Sequence, residues 1–231
     1  MISIQIAIDG PAGAGKSTIA KILADRLGYL YIDTGAMYRA VTLAAFRQGV
    51  PLFDEESLAN LAQESRIELS RSEDGNQQVF LNGDLVSEEI RQPLINQNVS
   101  LVAKLPKVRT ALVHKQREMA ENHNVVMDGR DVGTVVLPSA DLKIFLTATL
   151  DERAKRRYKE LLTKGFSESL EDVKAEMQER DKTDSTRNTS PLSVADDAIT
   201  VDTTDKTLEE VVEIIVELLG SKVKESEHEI L

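Results

Sequence analysis

At 231 residues, with a net charge of −11 and no cysteine, the chain is sized for one domain carrying an insertion and cannot build a disulfide framework or a thiolate metal site. Hydrophobic residues make up 41% and charged residues 29%, which supports a packed core and argues against disorder throughout. The acidic balance argues against general duplex binding, which calls for a basic surface. The apolar stretch in MISIQIAIDGP is too short for a membrane span and lacks the basic flank of a secretory signal. A cytoplasmic protein is expected, with no membrane or nucleic-acid partner.

Ile2 to Ile8 has the pattern of a buried strand, and Lys16 to Leu27 repeats apolar residues at helical spacing up to Gly28. Tyr29 to Ile32 is a second strand. Ala36 to Arg47 is a second helix, stopped by Gly49 and Pro51, and Ser57 to Glu64 is a third. The pattern then changes. Strands at Arg66 to Ser70 and Gln77 to Leu81 flank the turn signal SEDGN, and Asn82-Gly83 marks another tight turn. This β-element near 66–86 is an insertion in an alternating strand–helix chain. Helical segments follow from Ser87 to Ala103, and Pro106 opens a long helix to Glu121.

Val125 to Met127 is a strand ending at Asp128, and Leu142 to Leu146 is another. Thr149 and Glu152 have capping-box spacing before a basic helix over Asp151 to Leu162. Leu170 to Arg180 is a further helix and Ala198 to Val201 the last strand. Thr207 with Glu210 caps a helix to Leu219, and the polar tail at 221–231 is expected to fray. The alternation predicts an α/β fold of three layers, helices on both faces of a parallel central sheet.

Chemistry enters at GPAGAGKST. Gly10, Gly15, Lys16 and Ser17 have Walker A spacing, with a strand before them and a helix opening within them. Pro11, Ala12, Gly13, Ala14 and Thr18 complete a loop whose amides can cradle phosphate at a helix N-terminus. Lys16 is placed to reach the β- and γ-phosphates of ATP, and Ser17 to hold Mg²⁺. Asp128 is placed as a second candidate for the metal.

The loop alone does not define a kinase, but the arginines narrow the field. Arg39, Arg109, Arg130, Arg153, Arg156, Arg157, Arg180 and Arg187 recur at element ends, where guanidinium forks suit phosphate. Arg130 follows a strand, where ligands bind in open parallel sheets. In DTGAMYR, Thr34 is a candidate cap and Arg39 projects a turn into the helix. The chemistry fits a small phosphorylated acceptor. Kinases for UMP, AMP or shikimate, or a nucleotide switch with a protein partner, stay open on these residues alone.

With GPAGAGKST, DTGAMYR, DGRDVGTVV followed by LKIFL, and ERDKTDSTR in this order, the chain closely resembles the bacterial cytidylate kinases from Ile4 to Leu219. The resemblance implies a P-loop kinase fold with a small acceptor-binding subdomain spanning about 35–105 and a helical lid at about 150–168. It implies transfer of the γ-phosphoryl of ATP to CMP, and to dCMP, by a monomer using Mg²⁺. Thr34, Arg39, Arg130 and Arg187 would then hold the acceptor phosphate, and Ser100, Arg109 and Asp131 the cytosine edge. Arg180 and Asp184 would contact the sugar. Arg153, Arg156 and Arg157 would belong to the lid over ATP. Lys16, Arg39, Arg130 and Arg187 are the residues expected to stabilise the transferring group. Some relatives carry serine at the position of Thr34, which keeps the hydroxyl.

Overall fold

The structure is a computed structural model that describes residues 3–72, 75, 77–163 and 165–229, with side chains to residue 222. The expected strand start at Ile2, most of the SEDGN turn and the last two tail residues lie outside the described residues. The chain forms two compact units. One comprises Met1–Tyr31 and Ala120–Leu231, the other Ile32–Met119.

The first unit is built on β1 (Gln5–Asp9), β6 (Val125–Asp128), β7 (Leu142–Thr147) and β8 (Ile199–Asp202), joined by the first residues of β2 (Leu30–Asp33). The sheet order is β2-β6-β1-β7-β8. β1 runs parallel to β6 on one side and to β7 on the other, with Ile8 opposite both Asp128 and Ile144. β7 runs parallel to β8. These strands are apolar because they are covered: Ile6, Ile8, Val126, Ile144 and Leu146 form one core with Ile19 and Leu23 of α1 (Lys16–Leu27) and Val211 and Ile215 of α8 (Leu208–Glu229). Each such side chain contributes roughly 1.5–3 kcal/mol on burial. The order makes β1 the turning point of the sheet, and the crevice beyond its carboxyl end is where open α/β sheets bind ligands.

Two helices of this unit run longer than their sequence pattern. α7 covers Leu170–Thr186 rather than ending at Arg180, and α8 continues to Glu229 rather than stopping at Leu219 and fraying. α6 (Leu150–Thr163) starts with the expected cap, the Glu152 amide donating to the Thr149 hydroxyl at 3.3 Å. Thr207 and Glu210 form the reciprocal box at the start of α8, with bonds of 2.8 and 3.2 Å. Val132–Val136, not anticipated, is a π-helical turn after β6. No helix among the described residues is long and apolar enough to cross a membrane.

The second unit holds α2 (Thr34–Gln48), α3 (Glu55–Glu64), α4 (Pro93–Ala103) and most of α5 (Pro106–Ala120). It also holds the antiparallel sheet of β3 (Ile67–Arg71), β4 (Gln77–Leu81) and the short β5 (Asp84–Leu85). Met37, Val41, Leu58, Ile90, Ile95 and Leu112 are buried in it. The cap of α2 is Asp33 rather than Thr34: the Asp33 carboxylate accepts the Ala36 amide at 2.8 Å. Thr34 is the first helical residue, and its side chain is released from capping.

Candidate active site

The loop after β1 is shaped by where glycine is needed. Gly10 has φ +146° and a Cβ there would run into the Leu146 carbonyl oxygen of β7. Gly13 has φ +72°, and a Cβ would lie 2.6 Å from Met177 Cε and 3.2 Å from Arg153 Cβ. Gly15, at φ 89°, precedes the first residue of α1. Left-handed conformations at Gly13 and Gly15 around Ala14 turn the chain into the helix, leaving the N-terminal amides of α1 without intrahelical acceptors.

Lys16 opens α1 with its ammonium bonded to the Pro11 carbonyl at 2.7 Å. It is buried. That burial, with Arg130 next and Arg180 adding, lowers its pKa to about 7, against the opposing pull of Asp128 and Asp9. Ser17 donates its hydroxyl to Asp128 at 2.8 Å, and Tyr31 donates to the other Asp128 oxygen at 2.8 Å. Ser17 and Thr18 are exposed. Asp128 is buried. The pair offers hard oxygen donors that suit Mg²⁺. Among the described residues no group of three or more His, Cys, Asp or Glu is assembled to hold a metal.

Behind the lysine lies Asp9, which the motif search passed over. Its two oxygens accept the amides of Val132 at 2.8 Å and Gly133 at 2.7 Å. Burial raises its carboxyl to about 6 against those two bonds, with Asp131 raising it further and Lys16 opposing. A Cβ on Gly133 would sit 3.2 Å from the Lys143 stem and 3.4 Å from Asp9, so a glycine lets the π-helical turn close on the carboxylate. That turn follows directly on Arg130 and Asp131.

Arg130 donates Nε to Asp184 on α7 at 2.9 Å. Burial works against its charge, but Asp184, with Asp181 and Asp128 adding, outweighs burial and holds the guanidinium above its usual range. Burial likewise pushes Asp184 upward, and Arg130, Arg180 and Arg187 outweigh it and hold the carboxyl below its usual range. Arg187, at the C-cap of α7, donates Nε to the Ser190 carbonyl at 2.7 Å and lies 3.5 Å from Asp131. The structure therefore gathers Arg130, Asp131, Arg180, Asp184 and Arg187 into one charged cluster beside Lys16. The longer α7 is what carries Asp184 there.

Arg153, Arg156 and Arg157 are on α6 but have different surroundings. Arg153 is buried, donating to the carbonyls of Ala148 at 2.9 Å and Ala12 at 2.8 Å and to Asp181 at 2.5 Å. Asp181 in turn accepts the Ala12 amide at 3.0 Å. Arg156 bonds the Thr203 hydroxyl and carbonyl at 3.0 and 2.6 Å and also Glu152 at 3.0 Å. Arg157 reaches Glu160, at 2.9 Å.

The remaining sequence candidates fall in the other unit. Thr34 is buried at the start of α2. Arg39 pairs with Asp33 at 2.9 Å, and its Nε is buried without a partner among the described residues. Arg109 is buried on α5, donating to the Ala103 carbonyl at 3.0 Å and lying 5.3 Å from the centre of the Tyr38 ring. Ser100 is half-buried on α4, one turn before that carbonyl.

A family model described as Cytidylate kinase matches residues 6–221. A cytidylate kinase of Caldanaerobacter subterraneus subsp. tengcongensis is 56% identical over 96% of this chain and 97% of its own length. The chain belongs to the cytidylate kinase family. Another cytidylate kinase, from Geobacillus sp. strain WCH70, is 54% identical over 96% of this chain and 98% of its own. Among solved structures, an uncharacterized protein from Eubacterium ventriosum has a TM-score of 0.52 at 14% identity, covering 95% of this chain and 99% of that one. That last likeness is one of fold alone.

For a member of the cytidylate kinase family, this site contains four residues that motif reading missed: Asp9, Tyr31, Asp181 and Thr203. Asp181 alone had a local signal, sitting inside ERDKTDSTR. The others act through partners far along the chain.

Proposed function

We propose that this chain transfers the γ-phosphoryl group of ATP to CMP, and to dCMP, giving ADP and CDP or dCDP. The observation that carries the reading is the cation cluster of Lys16, Arg130 and Arg180 beside the phosphate loop, found in a chain of the cytidylate kinase family. The loop amides of Gly10 to Thr18 and the Lys16 ammonium bind the donor phosphates. Mg²⁺ would be held by Ser17, with Asp128 fixing that hydroxyl from behind. When bound with ATP, the ion neutralises phosphate charge.

The acceptor is a phosphate monoester, largely dianionic at pH 7 because its second pKa is near 6. No general base is needed. One of its oxygens forms a bond to the γ-phosphorus while the bond from that phosphorus to the bridging oxygen of ADP breaks. The obstacle is repulsion between two anions. Arg39, Arg130 and Arg187, with Thr34, hold the acceptor phosphate, and Lys16 spans donor and transferring group. Incoming phosphate raises the Lys16 pKa and restores its charge at the moment it is needed.

Ser100, Arg109 and Asp131 form the base-reading set. Asp131 accepts from the cytosine amino group while the other two donate to ring acceptors. Arg180 and Asp184 contact the sugar. The segment at about 35–105 is the acceptor-binding region, and the segment at about 150–168, with Arg153, Arg156 and Arg157, acts as a lid that excludes water.

The test is ADP release from ATP and Mg²⁺ with a panel of acceptors. CMP and dCMP are expected to be used, with UMP, AMP and shikimate far behind. A folded preparation that releases no ADP with cytidine nucleotides ends this reading.

A further inference from the structure

One face of α7 carries Met177, Asp181 and Asp184, spaced by four and three residues and so aligned along the helix. The first two address the apex of the phosphate loop. Met177 packs where Gly13 has no side chain and shares an apolar cluster with Ala12, Ala154, Leu161 and Val173. Asp181 accepts the Ala12 amide at 3.0 Å and Arg153 Nη1 at 2.5 Å, and the same nitrogen donates to the Ala12 carbonyl at 2.8 Å. Both polar ends of residue 12 are thus gripped by one ion pair that bridges α6 and α7. One turn further along the same face, Asp184 holds Arg130 at 2.9 Å.

We propose that Asp181 is a positioning residue through which occupation of the phosphate loop is transmitted to the acceptor-binding residues on α7. The inference rests on the kinase reading above and extends it to the order within the site. Filling the loop with a triphosphate requires its peptides to settle on the phosphate oxygens. The peptide of residue 12 cannot shift without moving the Asp181 carboxylate. Arg180 and Asp184 belong to the same helical segment and move with it, and Asp184 carries Arg130. Coupling between two sites needs contacts that differ between states, and Asp181 on α7 bonds directly to the loop backbone. It touches neither substrate and acts through Ala12, Arg153 and its own helix.

The experiment measures CMP affinity of the full chain by calorimetry, with and without the nonhydrolysable analogue adenylyl imidodiphosphate and Mg²⁺. In the wild type the analogue is expected to tighten CMP by a factor within the usual coupling range of about 5–150. Asp181→Ala brings that factor close to one while CMP affinity measured alone changes far less, because the proposed CMP contacts lie on other residues. Asp181→Asn, almost the same shape, keeps an acceptor for the Ala12 amide but loses the charge facing Arg153. Its factor falls between the two, and it carries the test if the alanine variant does not fold. A merely structural role weakens both ligands and leaves the ratio intact. Equal factors in wild type and both variants overturn the proposal, as does a wild type in which the analogue has no effect on CMP. ADP release by the wild type with CMP is scored separately and decides only the kinase reading.

Discussion

Ser17 donates its hydroxyl to Asp128 across 2.8 Å, joining the first turn of α1 to the end of β6. The bond points the hydroxyl hydrogen toward the sheet and leaves the oxygen lone pairs for a cation. In the proposed reaction Asp128 would support the metal-facing hydroxyl, and Tyr31 fixes its other oxygen. Replacing Asp128 with Ala is expected to raise the Mg²⁺ concentration for half-maximal activity about 10- to 100-fold, the usual cost of losing such a support. A magnesium titration at saturating ATP and CMP reads this directly. An unchanged titration removes Asp128 from the metal site.

Lys16 pays for its function in stability. Its pKa falls from 10.5 to about 7 chiefly through burial, a penalty on the charged form of about 4 kcal/mol at neutral pH. Lys16→Met removes that penalty but also the ammonium bond to Pro11, worth about 1.5–3 kcal/mol. The net expectation is a variant at least as stable as wild type at pH 7 without nucleotide, with activity almost abolished. Denaturant midpoints and ADP release test the two halves together. A variant that is destabilised and inactive contradicts the burial account.

How far this site is legible from sequence depends on the distance over which each residue acts. GPAGAGKST is readable because its glycines, lysine and helix start are local. Asp9 is not, since the amides it accepts belong to Val132 and Gly133, more than a hundred residues downstream. Asp33 and Thr34 are both good caps, and only the backbone decides between them: Asp33, at the end of β2, is still extended, at φ −85° and ψ 97°. The last turns of α7 lack apolar periodicity in KTDST, so helical pattern ends near Arg180. Within them Asp184 pairs with Arg130 at 2.9 Å, a contact far along the chain that helix propensity does not contain. The valines of DVGTVV favour strand, yet Asp9 gathers their first amides into a π-helical turn.

Asp131 lies 3.5 Å from Arg187, and both side chains are buried, so truncating Asp131 to Ala would also remove a charge partner of Arg187. Asp131→Asn is the cleaner probe of base choice. Its oxygen still accepts from the cytosine amino group, and its amide can donate to the carbonyl that uracil presents at the same position. The CMP-to-UMP ratio of kcat/KM is expected to narrow by about 10- to 100-fold, the worth of one buried unpaired acceptor. A ratio that stays at its wild-type value excludes Asp131 as the reader of the amino group.

Asp9 gives the protein a pH dependence of definite sign. Its carboxyl rises from 3.8 to about 6, mainly through burial. Between those values the folded chain holds more protons than the unfolded one. Stability from this group therefore falls as pH rises through the window, and the cost, complete above pH 6, is about 3 kcal/mol. Asp9→Asn does not titrate and removes that slope. Its amide group turns an N–H toward one of the two backbone amides of Val132 and Gly133, which costs about 1–3 kcal/mol at every pH. Wild type is therefore expected to lose about 2 kcal/mol relative to the variant between pH 4.5 and pH 7.5. Urea midpoints measured at half-unit steps between those limits provide the comparison. Two parallel curves, with the same gap at both ends, mean that Asp9 does not titrate in this range and that the clamp on the π-helical turn carries no proton-linked cost.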